Sequence, residues 1–397
     1  MTDALERCVG DVRRFAEEHW GRMPLYREAA DPDGFRGLLD LGDVDHLVTE
    51  SLLRAPSFRL VKEGEPLDPK RYTQTIRVGN TRVEGAIRPD RVLDAFAGGA
   101  TVVLQALHRQ WPPIARFCRD LELALTHRTQ ANAYVTPATS QGFAVHHDTH
   151  DVFVIQTHGR KRWRVYEPVV ELPGKEQPWS GVRTDPGRPV LEADMRPGDC
   201  LYLPRGFPHD AVAREEVSIH VTVGVLASTW VDVWRQVLAR LPDHRPFRES
   251  LPVGFANDPG GLAEEVSVRV KELQAFIEDA ADEDAPRALG ERFWRTRRPF
   301  LAGQLGQLER LRSMTHETTL RRRSRGVFRV SVEGSEARVV LGFKELRMPG
   351  FCEQALRAVE RTTGSFRPTD LAGLDPESAL VLARRLVREG AVEIVGG

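Results

Sequence analysis

A mainly β core, followed by an all-α stretch and a closing α+β unit, is the fold class this sequence predicts. Three observations predict it. Between residues 131 and 225, short β-type runs follow one another with Gly/Pro turns and no intervening helix, the pattern of a sandwich or barrel. After Trp230 the apolar period becomes helical. From Phe328 onward a hairpin pattern, two helices and a last short strand follow in turn, which suggests a winged-helix-like topology.

The elements follow in order. Leu5, Val9, Val12, Phe15, Ala16 and Trp20 recur at helical spacing and predict an amphipathic helix over residues 4–20, which Pro24 prevents from running on. One or two short helices are expected over 38–53. Short β-type runs separated by turn residues fill 56–88, and Pro89 opens a helix over 91–96. A strand over 101–104 and a helix over 114–125 come next. Within the β-rich stretch, 152–155 reads as a buried strand and 162–166 as a half-exposed one, with 201–203 and 218–223 completing the set. Residues 168–197 read as a long polar insertion, of the kind that forms lids and binding loops. Helices are expected over 231–241, 266–281 and 289–295, with a Gly/Asp/Pro-rich separator at 256–261. In the tail, 328–332 and 337–341 form a hairpin, 349–362 is helical, a second helix opens near Asp375, Gly390 caps it, and 392–395 is a strand.

At 397 residues the chain is long enough for two or three domains. We divide it as 1–229, a β core with N-terminal helices; 230–310, helical; and 311–397, the closing unit. A formal net charge of -1 provides no bulk attraction to nucleic acid. Cys8, Cys118, Cys200 and Cys352 lie far apart with no CxxC pair, which argues against a zinc knuckle or a disulfide framework and for a reducing, cytoplasmic setting. The opening residues do not read as a signal peptide, and no apolar run is long enough to span a membrane.

Two segments carry chemistry. The first is Gly142-Phe143-Ala144-Val145-His146-His147-Asp148. On a strand, His146 and Asp148 point together while His147 points away. A lone H-x-D pair is more often an ordinary histidine than a ligand, so the second segment decides. There Gly198, Pro204, Gly206 and His209 give G-x5-P-x-G-x2-H, which resembles the second signature of cupin barrels. Two imidazoles and one carboxylate form a 2-His-1-carboxylate triad, which leaves positions open on a single iron for a cosubstrate and O₂.

With the flanking runs added, the sequence resembles the JmjC-type ribosomal oxygenases, which are 2-oxoglutarate- and Fe(II)-dependent protein hydroxylases. The runs are 132–143, 146–148, 151–156, 159–166, 198–209 and 218–222, with Phe15-Ala16-Glu17-Glu18-His19-Trp20 matching the family's usual start. The resemblance implies a double-stranded β-helix (cupin) core, a helical dimerisation region and a C-terminal winged helix. It implies His146, Asp148 and His209 as iron ligands and Lys161 as the cation for the distal carboxylate of 2-oxoglutarate, with Arg160 and Arg162 on the opposite face. Asn132 and Tyr134 match positions near cosubstrate and substrate. Ser218, His220 and Thr222 fall on one face of the last core strand, where they line the site or form a solvated face. The implied reaction hydroxylates an unactivated C–H bond and releases succinate and CO₂.

The family implies a ribosomal-protein substrate modified at histidine or arginine, and the motifs do not separate the two, nor hydroxylation from N-demethylation. Ribosomal proteins are basic, so an acidic rim would help; Glu167, Glu171, Glu176, Asp185, Glu192 and Asp194 supply one, or form an exposed loop without a partner. Arg295, Arg297, Arg298 and the run Arg321-Arg322-Arg323-Ser324-Arg325 raise nucleic-acid binding, against which stand the net charge and the acidic residues mixed into the final helix. The alternatives are an oxygenase acting on another protein, peptide or small molecule, and a non-catalytic cupin-like binding protein.

Overall fold

Strict alternation along a few apolar strands builds the first unit. The computed structural model describes residues 3–179, 187–280 and 284–396, and these gather into two units, Met1–Ala227 and Ser228–Gly397. The strands of the first unit, β1 to β13, are Leu25–Arg27, Phe58–Lys62, Glu65–Pro66, Thr73–Val78, Thr81–Ile87, Thr101–Leu104, Arg128–Thr136, Asp151–His158, Lys161–Val165, Leu191–Met195, Cys200–Leu203, His209–Ala213 and Ser218–Leu226. A large antiparallel sheet runs β1-β11-β8-β13-β7-β6-β2-β3, a small one runs β10-β9-β12, and β4 pairs with β5.

Val152 and Val154 of β8 join Leu201 and Leu203 of β11, Trp163 and Val165 of β9 and Met195 of β10 in a core between the two sheets. Phe153 and Ile155 point the other way. With Ile219, Val221, Val223 and Val225 of β13 they pack under the helix Pro112–Leu125 and the N-terminal helices. A strand buried on both faces needs an unbroken apolar run, which is why 152–155 is legible in sequence. The even residues of β13, by contrast, face the space between the sheets, where polar groups collect.

Three departures have local causes. The helix expected over 4–20 is broken: Asp3–Val9 ends at Gly10, whose φ is +74°, and Asp11 accepts from the Arg14 amide to start a new turn that widens into a π-helix over Phe15–His19. Strand β1 forms directly after Pro24 by pairing with β11. Strand β10 lies inside the stretch read as an insertion. Its Ala193 and Met195 face inward, and the alternating Glu192 and Asp194 hid that pattern.

In the second unit the helices are Trp230–Leu238, Pro259–Ala280, Asp284–Arg295, Gln304–Arg310, Glu353–Arg361 and Pro376–Arg388. The helix Pro259–Ala280 includes Gly260 and Gly261, expected to separate helices, because Pro259 suits a first helical position and Asp258 caps the Gly261 amide at 3.0 Å. Val237 and Phe276 anchor a small core with Leu241, Phe247, Leu273 and Ile277. The closing part has two three-stranded sheets and two helices around Leu356, Leu382 and Leu386. Its hairpin Arg329–Glu333/Glu336–Val340 forms across Gly334 and Ser335, and Asp375 caps the last helix through the Ser378 amide. The helix Gln304–Arg310 packs here, with Gln304 Nε2 donating to the Val387 carbonyl at 2.8 Å. Among the described residues no helix is long and apolar enough to cross a membrane.

Candidate metal centre

The structure brings His146, Asp148 and His209 together, with one ligand atom from each within 4.8 Å of the others. The segment holding His146 and Asp148 is not the strand the spacing predicts. It is a loop whose extended part makes a single bridge to the start of β12. That bridge joins the two histidines: the His146 amide donates to the His209 carbonyl at 3.2 Å and the His209 amide to the His146 carbonyl at 2.8 Å. Local extension keeps the alternation, so His147 points away, edge-on to Trp179.

Both imidazoles are aimed by the same device. His146 Nδ1 lies 2.8 Å from the Ala144 carbonyl and His209 Nδ1 lies 3.0 Å from the Phe207 carbonyl. A carbonyl fixes the proton on Nδ1 and leaves Nε2 with a free lone pair, the arrangement metal-ligating histidines use. Burial, then the neighbouring His146, pushes His209 down to about 4, so its ring is neutral and able to ligate at physiological pH. The Gly206 amide holds the Asp148 carbonyl at 3.1 Å. Gly206 has φ +95°, and a Cβ there would lie 2.4 Å from the Val170 carbonyl oxygen, so only glycine fits the turn that delivers His209.

A cavity of about 220 Å³ opens at the triad, and Lys161, Tyr134, His220 and Thr222 also line it. Lys161 begins β9 and faces inward, while Arg162 faces out to Glu192. Lys161 is 3% exposed; its ammonium donates to Thr136 Oγ1 at 2.9 Å and has no carboxylate partner among the described residues, and burial pushes it down to about 7. Tyr134 stacks on His220, with ring centroids 4.9 Å apart. Its phenol is pushed up to about 12 by burial and by Asp148, and so stays protonated. His220 Nδ1 and Trp163 Nε1, on two residues that line the cavity, are buried without a hydrogen-bond partner.

Two expected residues stand behind the wall. Asn132 Oδ1 accepts from the Ala106 amide at 3.0 Å. Ser218 Oγ accepts from Gln156 Nε2 at 2.9 Å. Neither lines the cavity. Sequence reasoning passed over Thr136, Arg59, Thr101 and Trp163. Thr136 lies within the run 132–143 and two residues beyond Tyr134 on β7, so strand alternation points to it. Arg59, whose guanidinium stacks over Phe143, signalled itself only as a charge inside an apolar strand. Of the acidic insertion, Glu192 pairs with Arg162 and Asp194 with Arg214 at 3.0 Å, so these two belong to structure rather than to a free rim. Asp185 lies outside the described residues; Glu167, Glu171 and Glu176 are exposed.

A small antiparallel sheet facing a large one, with two histidines and an aspartate converging at its mouth, is the arrangement of a double-stranded β-helix oxygenase core. The JmjC-domain family model matches residues 106–233. Ribosomal oxygenase 1 of Homo sapiens is 32% identical over 300 residues, 68% of this chain and 44% of that protein. Ribosomal oxygenase 1 of Gallus gallus is 30% identical over 283 residues, 68% of this chain and 45% of that protein. The chain thus spans less than half the length of these relatives. The structure of YcfD, a ribosomal oxygenase from Escherichia coli, solved with cobalt and 2-oxoglutarate, superposes with a TM-score of 0.53 at 20% identity, covering 97% of this chain and 98% of that one. The chain belongs to the JmjC-domain ribosomal oxygenase family.

Proposed function

We propose that this chain is an Fe(II)- and 2-oxoglutarate-dependent oxygenase that hydroxylates a histidine or arginine side chain of a ribosomal protein. The observation that carries the reading is one cavity holding both a three-ligand cluster and a buried lysine without a counter-ion. A triad alone fits many metals; an uncompensated ammonium in the same dry space asks for an anion. A dicarboxylate that chelates the metal at one end and meets Lys161 at the other satisfies both. The E. coli relative, solved with cobalt and 2-oxoglutarate, supports this choice, and the relatives named ribosomal oxygenases support the substrate class.

In this reading His146, Asp148 and His209 would hold iron, the two histidines through the Nε2 that their carbonyl-bound Nδ1 leaves free. Lys161 would meet the distal carboxylate, with Thr136 Oγ1 positioning its ammonium. Iron with 2-oxoglutarate supplies the oxidation of an unactivated C–H bond, with succinate and CO₂ as co-products. Trp163, Val152 and Val154 keep water from the cosubstrate end, and the Ala144 and Phe207 carbonyls keep both histidines in the ligating tautomer. Asn132 and Ser218 support the wall through the Ala106 amide and Gln156 rather than by contact.

We place the protein in the cytoplasm, which the four buried, unpaired cysteines support. We propose a homodimer formed through the second unit, supported by the exposed Trp230 and Trp234 on one helix. We assign no nucleic-acid contact. Arg321 pairs with Glu393, and Arg323 is buried against the Ala302 carbonyl and Gln304, so much of the basic run is spent on the fold. The test is mass spectrometry of ribosomal proteins from cells with and without the gene. One added oxygen on one histidine or arginine, present only with the gene, is expected; identical spectra would contradict the reading.

A further inference from the structure

A second cavity, of about 530 Å³, opens in the first unit against the turn that delivers His209. The Phe207 side chain lines it, and the Phe207 carbonyl orients the His209 ring at 3.0 Å. The loop 168–173, which forms another wall, is pressed onto Gly206, and the Gly206 amide holds Asp148. In the β9–β12 ladder Val165 stands opposite His209. Glu167 follows two residues on, roughly 7 Å along an extended chain. The cleft is therefore within a few residues' reach of anything bound at the metal centre.

Its chemistry is lopsided. Leu172 and Phe207 give it apolar walls. Its two cations are already engaged: Arg205 faces the buried Asp151 at 3.4 Å, and Arg22 donates to the Glu17 carbonyl. Its two carboxylates, Glu167 and Glu171, have no ion pair among the described residues, unlike Glu192 and Asp194. Apolar walls with uncompensated carboxylates suit a long side chain that lays its methylenes on carbon and presents a cation at its tip.

We infer that this cleft receives a lysine or arginine of the protein substrate, carried a few residues from the one being oxidised, with Glu167 and Glu171 taking its charge. The inference rests on the hydroxylase reading, because only a polypeptide substrate spans both sites.

The test uses the full chain with total ribosomal protein extracted from cells lacking the gene, and reads the rate of oxygen incorporation against substrate concentration. Glu167→Gln with Glu171→Gln raises the apparent KM about tenfold, leaves kcat within about twofold, and flattens the fall of kcat/KM with added salt. Glu167→Lys with Glu171→Lys raises KM further. An unchanged KM and salt dependence overturns the inference, and so does a loss confined to kcat, which would mark the two residues as loop supports. A wild-type chain that oxidises no ribosomal protein removes the hydroxylase reading and this inference with it. A working wild type beside unaffected variants removes the cleft alone.

Discussion

Lys161 makes the cosubstrate assignment testable without any turnover. Its ordinary value of 10.5 is pushed down to about 7 by burial, with no carboxylate paired to it among the described residues. A distal carboxylate of 2-oxoglutarate supplies that missing charge and restores the ammonium. Binding then takes up a proton wherever the free site is neutral: about 0.9 proton at pH 8 and about 0.1 at pH 6. The same linkage weakens 2-oxoglutarate affinity about tenfold per pH step above 7. The assay is calorimetric titration of 2-oxoglutarate into Mn(II)-loaded protein at pH 8, in two buffers of different ionisation enthalpy. Proton uptake near zero at pH 8 would refute the reasoning. The stability side has a definite sign. Between about pH 7 and 10.5 the unfolded chain binds more protons than the native one, so stability rises with pH through that window and the full cost is present below it. That cost is on the order of 5 kcal/mol. Replacing the charge by Lys161→Met, at the loss of one hydrogen bond to Thr136 of about 1 kcal/mol, stabilises the ligand-free protein by about 2–4 kcal/mol. It also abolishes 2-oxoglutarate binding.

Further outcomes follow from the same geometry. His209→Ala lowers Mn(II) affinity at least about 100-fold, read by the loss of a metal-induced rise in Tm, whereas His147→Phe keeps that rise because His147 faces Trp179. Thr136→Val leaves the buried ammonium without its acceptor; chemical denaturation shows a loss of about 1–3 kcal/mol, and the Kd for 2-oxoglutarate rises. Gly206→Ala meets both a positive φ and the Val170 carbonyl, and costs on the order of 3 kcal/mol together with weakened metal binding.

What was legible in the sequence follows the physics of each signal. The strand at 152–155 announced itself because burial on two faces leaves no room for a polar residue. His146, Asp148 and His209 were legible because the Gly/Pro turn before His209 has few other uses, and Lys161 because its resemblance run is dense. Strand β10 was hidden by Glu192 and Asp194, which alternate with its core residues and pair with Arg162 of β9 and with Arg214 just after β12. The break at Gly10 was masked by apolar residues that keep helical spacing on both sides of it. Asn132 and Ser218 lie on the correct strands, yet each spends its polar group on a neighbour, a choice made by tertiary contacts that no local pattern encodes. Thr136 shows the converse, a plain threonine that matters because Lys161 comes to it from 25 residues away.

The most direct test of the central claim is isotopic. The purified chain is incubated with Fe(II), 2-oxoglutarate, ¹⁸O₂ and ribosomal proteins from cells lacking the gene, with His209→Ala in parallel. The account predicts one ¹⁸O atom on one histidine or arginine side chain, matched by succinate, and neither product with the variant. Oxygen derived from water, or no labelled ribosomal peptide at all, would contradict it.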